Sequence, residues 1–92
     1  MWKVEFSEKA AKQFAKLPRN IQQSVVKAIE EKLLVDPDFY LSRLSGHMGN
    51  FYRFRVGNYR LLCLKRDEEI FIIAVGHRKD IYKSMSTIVA SQ

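Results

Sequence analysis

The chain has 92 residues, of which 47% are hydrophobic and 28% are charged, and it carries a formal net charge of +6. This composition excludes a disordered, collagen-like or membrane-spanning chain and predicts one small globular domain over residues 1–92. The basic excess favours an acidic partner, such as a nucleic acid or an acidic protein segment.

The first half of the chain predicts a strand followed by two helices. Apolar and charged residues alternate over Trp2–Phe6, which is typical of a half-buried strand. Ser7 is a candidate N-cap for the helix that follows. Pro18 ends this helix and opens a second one, about Arg19–Leu34, which stops before Pro37. We expect the two helices to form a hairpin that covers one face of a sheet.

The second half predicts a sheet. The connection Asp38–Asn50 contains two glycines and is expected to be irregular. Three strands follow, Phe51–Val56, Tyr59–Lys65 and Ile70–Val75, and the short turns between them predict an antiparallel meander. Apolar residues at helical spacing after Asp80 predict a short final helix. The fold class is therefore α+β, in the order β-α-α-β-β-β-α with helices on one face.

The cysteine and histidine content bears on location and cofactors. A lone cysteine, Cys63, lies among leucines and cannot form an internal disulfide, which predicts a reducing, cytoplasmic location. Charges interrupt the N-terminal apolar residues, so no signal peptide is expected, and the longest apolar run, Ile70–Val75, is too short to cross a bilayer. Zinc is not expected either, because the spacing of Cys63, His47 and His77 is not that of zinc ligands. We therefore expect no metal and no other cofactor, and the short apolar runs predict no membrane partner.

The basic charge is concentrated in the second half. Residues 1–50 hold eight basic and six acidic side chains, whereas residues 51–92 hold eight and four. No acidic residue occurs over residues 39–66, which contain Arg43, Arg53, Arg55, Arg60, Lys65 and Arg66. Alternation places Arg53 and Arg55 on one face of their strand, opposite Tyr52, Phe54 and Val56 on the core face. Because guanidinium groups bind phosphate through paired hydrogen bonds, this face favours an anionic ligand.

Two segments resemble a known family. The segments Tyr52–Leu62, YRFRVGNYRLL, and Ala74–Tyr82, AVGHRKDIY, are similar to the RelE branch of the RelE/ParE toxin superfamily. The order of elements matches over nearly the whole chain, including the helix hairpin broken at Leu17-Pro18. The resemblance implies a type II toxin with a microbial-ribonuclease-like fold that cleaves mRNA in the ribosomal A site and is silenced by a cognate antitoxin. Its partners would then be the ribosome, mRNA and an acidic antitoxin that covers or distorts the arginine face, displacing the helix after Tyr82.

RNA cleavage without a metal requires three tasks: removing the proton of the ribose 2′-hydroxyl, stabilising charge on phosphorus and protonating the leaving 5′-oxygen. The resemblance aligns Arg60 and Arg78 with the active-site arginines of the family and Tyr82 with its C-terminal tyrosine. Arg53 and Arg55 fall on basic positions of the second strand, where some members have lysine. The four arginines are therefore predicted to clamp one phosphate.

The proton acceptor is left open by the sequence. Arginine stays protonated, so the candidates are His77, Tyr82, or groups of the substrate and ribosomal RNA. Strand alternation places His77 and Arg78 on opposite faces unless the backbone turns at Gly76, which makes Arg78 the stronger candidate. Tyr82 has a structural alternative, which is to pack its ring under the final helix.

Further basic side chains are predicted RNA contacts, and each has a solvated surface role as the alternative. They are Arg43, His47, Lys65 and Lys79, together with the helical stripe Lys9, Lys12 and Lys16. Two other functions stay open: inhibition of DNA gyrase without cleavage, as in the ParE branch, and non-catalytic RNA binding. Converging phosphate-binding groups speak against the gyrase function, because a protein that only binds another protein has no need for them.

Overall fold

The computed structural model of this protein describes residues 1–44, 51–81 and 83, and it confirms the predicted α+β fold. The elements in chain order are β1 Lys3–Phe6, α1 Glu8–Ala15, α2 Arg19–Ala28, α3 Pro37–Tyr40, β2 Ser42–Arg43, β3 Phe51–Val56, β4 Tyr59–Arg66 and β5 Glu69–His77. The two predicted long helices and the four predicted strands are all among them.

The helix hairpin forms where local sequence signals place it. The Ser7 hydroxyl accepts a hydrogen bond from the Ala10 amide at 3.0 Å and so caps α1. Pro18 is the N-cap of α2, where its missing N–H costs no hydrogen bond. The helix continues beyond Ala28 into a π-helical turn, Ile29–Leu33, in which the Leu34 amide donates to the Ile29 carbonyl at 2.9 Å.

The five strands form one sheet in the order β1-β5-β4-β3-β2. β1 is parallel to β5, and the other neighbours are antiparallel, so β3, β4 and β5 form the predicted meander. The β4–β5 ladder contains a bulge, because Leu62 pairs with Ala74 whereas Cys63 pairs with Ile72. Ile73 is therefore the extra residue. Because of it, each side chain later in β5 points to the opposite face of the sheet from the one that regular alternation would give.

Both faces of the sheet carry apolar clusters. The main core lies between the helices and the sheet and includes Val25, Leu33, Phe54, Leu61 and Ile72, each nearly or fully buried. A second buried cluster, made of Leu44, Phe51, Leu62, Ala74 and Ile81, lies on the opposite face. The sequence predicts only a cationic surface on that opposite face. This prediction is incomplete, because Leu62 and Ala74 face away from the helices and need their own apolar cover.

The segment after α2 is more regular than predicted. The expectation of an irregular connection from Asp38 onward is wrong over its first part, which contains the end of α3 and all of β2. The Asp36 carboxylate caps α3 by accepting from the Phe39 amide at 3.3 Å, and Ser42 of β2 pairs with Arg53 of β3. A two-residue strand has no detectable periodicity, because its structure comes from the neighbouring strand.

Some predictions cannot be compared with the structure. His47 and Tyr82 lie outside the described residues, and so does the predicted final helix apart from Ile81 and Lys83.

Candidate active site

A cationic cleft of about 600 Å³ lies on the sheet face that points away from the helices. The residues that line it are Tyr40, Ser42, Arg53, Arg55, Arg60, Arg78 and Lys79. Five of these seven side chains are basic and none is acidic. A concave surface with this charge attracts an anion, and its four guanidinium groups have the shape that binds phosphate oxygens in pairs.

Three of the arginines are placed by strand alternation. Arg53 and Arg55 are two residues apart in β3, so they point to the same face. Arg60 lies directly opposite Arg55 in the β3–β4 ladder. Directly opposed like charges destabilise a strand pair, so this arrangement opposes folding unless an anion lies between them. The register is therefore better suited to binding a ligand than to stability.

Arg60 is held by the turn that connects β3 to β4. Its Nη1 donates hydrogen bonds to the Gly57 carbonyl at 2.8 Å and to the Tyr59 carbonyl at 2.9 Å. Gly57 adopts a φ of 58°, a conformation that glycine takes without the strain that a Cβ would introduce. The tight turn thus orients the guanidinium before any ligand arrives.

Arg78 and Lys79 reach the cleft from the end of β5. The Arg78 amide donates to the Asn58 carbonyl at 2.8 Å, which ties this residue to the β3–β4 turn. The Asp80 amide donates to the His77 carbonyl at 2.8 Å and closes a turn over residues 77–80. The chain therefore turns just after His77, and Arg78 and Lys79 join the cleft.

His77 lies on the other side of the sheet. It pairs with Tyr59 across the β4–β5 ladder, and the two rings meet edge to face with their centroids 5.5 Å apart. The backbone does not turn at Gly76, since β5 continues through this residue, which pairs with Arg60, so His77 and Arg78 do not share one site. The bulge at Ile73 explains this placement, because without the extra residue alternation would place His77 on the cleft face. Arg78, the preferred candidate of the two, lines the cleft and His77 does not.

Two further predicted RNA contacts point towards the helix side. The Arg43 Nη2 donates to the Tyr52 hydroxyl at 3.3 Å, and its guanidinium lies 5.7 Å from the centre of that ring. Lys65 pairs with Asp38, and its amine lies 5.6 Å from the Trp2 ring and 5.5 Å from the Tyr52 ring. These cations hold aromatic side chains at the edge of the core, and neither lines the cleft.

The predicted lysine stripe lies on α1. Lys9, Lys12 and Lys16 are exposed there, and Lys12 forms an ion pair with Glu8 at 3.4 Å. Because α1 packs on the helix side of β5, the stripe is separated from the cleft by the sheet. Lys79, by contrast, is a predicted RNA contact that does line the cleft.

Tyr40 and Ser42 line the cleft although sequence reasoning missed them. Ser42 faces the same side as Arg53 because the two residues are paired across the β2–β3 ladder. Tyr40 is the last residue of α3, which brings its side chain next to β2. The N-cap pattern Asp36-Pro37 could have predicted α3 and so the position of Tyr40. The two residues of β2 are too few to show a pattern that predicts their pairing.

Cys63 lies in the main core among leucines. It is completely buried, and burial raises the pKa of its thiol from 9.0 to about 12. Over the described ranges, no three His, Cys, Asp or Glu side chains cluster in a way that could hold a metal ion. No described helix is long and apolar enough to cross a membrane.

Comparison with known proteins identifies the family. Residues 4–82 match the family described as "ParE toxin of type II toxin-antitoxin system, parDE". The chain belongs to this family. A curated relative, toxin RelE3 of Methanocaldococcus jannaschii, is 33% identical over 84 residues, which cover 87% of this chain and 94% of the relative. The match to both names places the chain in the RelE/ParE superfamily of toxins.

Solved structures agree with this assignment. The RelBE2 toxin–antitoxin complex of Mycobacterium tuberculosis contains a chain that matches with a TM-score of 0.77 at 29% identity, covering 84% of this chain and 98% of that one. The isolated RelE toxin of E. coli matches with a TM-score of 0.72 at 26% identity, covering 97% of this chain and 99% of that one. The resemblance seen in the two sequence segments therefore extends to the whole fold.

Proposed function

We propose that this RelE/ParE-family toxin is a ribosome-dependent mRNA endonuclease that needs no metal and inhibits translation. The observation that carries the proposal is the cationic cleft, where Arg53, Arg55, Arg60 and Arg78 line one concave surface free of acidic residues. The anion that matches this cleft is one phosphodiester group of a nucleic acid. That the cleavage takes place on the ribosome is inferred from the similarity to RelE toxins.

In the proposed reaction, the ribose 2′-oxygen attacks the adjacent phosphorus and the bond from phosphorus to the 5′-oxygen breaks. The products are a 2′,3′-cyclic phosphate and a free 5′-hydroxyl. Charge accumulates on the non-bridging oxygens in the transition state, and the arginines stabilise it. Arg60 contributes from a guanidinium already fixed by two carbonyls, which avoids reorganisation during the reaction.

Proton transfer is the weaker part of this site. The arginines stay protonated, and His77 faces the other side of the sheet. The proposal therefore assigns the proton steps to Tyr82 or to groups of the mRNA and ribosomal RNA. Such a protein supplies positive charge around the phosphate but few groups that transfer protons. It therefore depends on another macromolecule to align the 2′-oxygen with the phosphorus, and we expect the ribosome to do this.

We also propose an acidic antitoxin as the partner that silences the toxin. The M. tuberculosis relative was solved as a toxin–antitoxin complex. A net charge of +6 favours an acidic, extended or helical segment that folds on binding. The expected binding mode covers or distorts the cationic cleft, and a complex in which all four arginines stay exposed and undistorted would contradict it.

Inhibition of DNA gyrase is the second candidate, because the matched family carries the ParE name. The two functions separate in a translation extract in which message ends are mapped. We expect cuts at codon-defined positions that disappear with Arg60→Ala and with Arg78→Ala. Intact message together with inhibited gyrase supercoiling would refute the endonuclease, and salt-sensitive RNA binding without any cut would indicate a binding module.

A further inference from the structure

We propose that Tyr40 forms a base-stacking wall of the cationic cleft, so that a nucleobase next to the bound phosphate lies against its ring. The inference rests on the proposed function, since it requires RNA in the cleft. It assigns to Tyr40 a binding role that accompanies the arginines and takes no part in the chemistry.

Tyr40 is the one aromatic side chain among the seven residues that line the described cleft. Its side chain stands beside the arginines at the end of α3, next to Ser42 of β2. Phosphate and base are joined through one ribose, so a cation cluster with an adjoining ring matches the two ends of a nucleotide. Proteins that bind single-stranded RNA commonly combine a basic groove with an aromatic surface of this kind.

The position of Tyr40 is fixed by its neighbours. Pro37 and Leu41 are both buried, and they anchor the chain on either side. The Phe39 ring meets the Tyr40 ring edge to face at 4.9 Å, and the Lys32 amine lies 5.6 Å from the Tyr40 ring centre. Because these contacts hold the ring, stacking costs little conformational entropy.

The ring is also accessible. Tyr40 is 37% exposed, whereas Leu41, which follows it, is buried, so part of the ring is open to a ligand in the cleft. Neither Lys32 nor Phe39 lines the cleft, so both contacts lie outside the space where RNA would bind.

The test measures stacking directly. A short RNA carries 2-aminopurine next to a central nucleotide whose 2′-hydroxyl is replaced by hydrogen, so that it binds without being cut. Stacking on an aromatic ring quenches the fluorescence of 2-aminopurine. We expect quenching with the original protein and with Tyr40→Phe, and loss of quenching with Tyr40→Leu. Affinity for the RNA should fall about 5- to 150-fold with Tyr40→Leu, the range that corresponds to the loss of one stacked base.

Controls separate this inference from its alternatives. Gln23→Leu introduces leucine at an exposed position of α2 that does not line the cleft, so it should change affinity by less than twofold, and thermal unfolding of each variant checks its fold. Equal quenching with Tyr40→Leu and the original protein would overturn the stacking role. Loss of mRNA cleavage with Tyr40→Phe, at unchanged affinity, would also overturn it, because the hydroxyl would then be needed for proton transfer. If the original protein does not bind the free RNA, the same message is measured on programmed ribosomes, and an original protein that binds it in neither setting would refute the proposed function.

Discussion

At the scale of single residues, Arg55 and Arg60 show that the cleft and the stability of the sheet make opposite demands. The two side chains are directly opposite in the β3–β4 ladder, where like charges repel. Arg60 is held by two carbonyls of the turn, whereas Arg55 is exposed. At this pair, a neutral residue would therefore favour folding, whereas a charged residue favours anion binding.

We expect Arg55→Gln to raise the free energy of unfolding by about 0.2–1 kcal/mol, measured by urea denaturation, because it removes the repulsion. The same change should weaken binding of single-stranded RNA and lower its salt dependence. Arg66→Gln is the matched control, since Arg66 faces Glu69 in the next ladder and its loss should not stabilise the protein. A lower stability of Arg55→Gln than of Arg66→Gln would contradict this explanation.

Cys63 gives a pH dependence whose sign follows from burial. Its thiol has a pKa of about 12 in the folded protein against 9.0 without the burial, so below pH 9 both states keep the proton. At higher pH the unfolded chain loses that proton while the folded protein retains it. The free energy of unfolding should therefore fall as pH rises from about 9 towards 12.

Two measurements check the state of this thiol. Iodoacetamide at pH 8 should leave Cys63 unmodified in the folded protein and alkylate it in urea, because only the thiolate reacts and only after exposure. Unfolding curves of Cys63→Ala should depend less on pH between 9 and 11 than those of the original protein. Rapid alkylation of the folded protein would show that the thiol is accessible.

At the scale of secondary structure elements, the open end of β5 depends on a side chain from α1. The parallel strand β1 pairs with β5 only as far as Ile72, which leaves the following residues at a sheet edge. The Gln13 side-chain oxygen accepts a hydrogen bond from the Val75 amide at 2.8 Å. Gln13 therefore takes the place of the missing strand and fixes α1 against the part of β5 that leads to Arg78.

We expect Gln13→Leu to lower the free energy of unfolding by about 1–3 kcal/mol, because the Val75 amide loses its partner in a partly buried position. Gln23→Leu makes the same chemical change at an exposed position of α2 and should have little effect. Amide hydrogen exchange gives a second measurement, since the Val75 amide should lose protection in the Gln13 variant. Equal stability of the two variants would rule out the edge-capping role.

Several elements could be predicted from sequence because their signals are local. The alternation Tyr52 to Val56 gave β3 and its arginine face, and Ser7 and Pro18 marked the ends of the helices. The position of His77 could not be predicted, because the bulge at Ile73 arises from pairing between two strands. The same limit applies to the small elements α3 and β2 and therefore to the cleft residues Tyr40 and Ser42, which depend on tertiary contacts.

At the scale of the whole molecule, the net charge of +6 is divided among regions with different roles. The arginines of the cationic cleft lie on one side of the sheet, whereas the lysines of α1 and the cations beside Trp2 and Tyr52 lie towards the helices. The division concentrates four guanidinium groups and one amine at one concave surface. The described residues that line this surface include no histidine and no carboxylate, so the surface is better suited to holding an anion than to transferring protons.

The most direct test of the proposed cleavage uses ribosomes programmed with a short message, and with a copy that carries one 2′-deoxynucleotide at the proposed cut position. We expect the first message to yield a 5′ fragment ending in a 2′,3′-cyclic phosphate, the second to stay intact, and Arg60→Gln and Arg78→Gln to slow the cut at least 100-fold because each removes a charge from the transition state. Cleavage of the deoxy message, or undiminished cleavage by both arginine variants, would contradict a phosphate clamp that acts through 2′-oxygen attack.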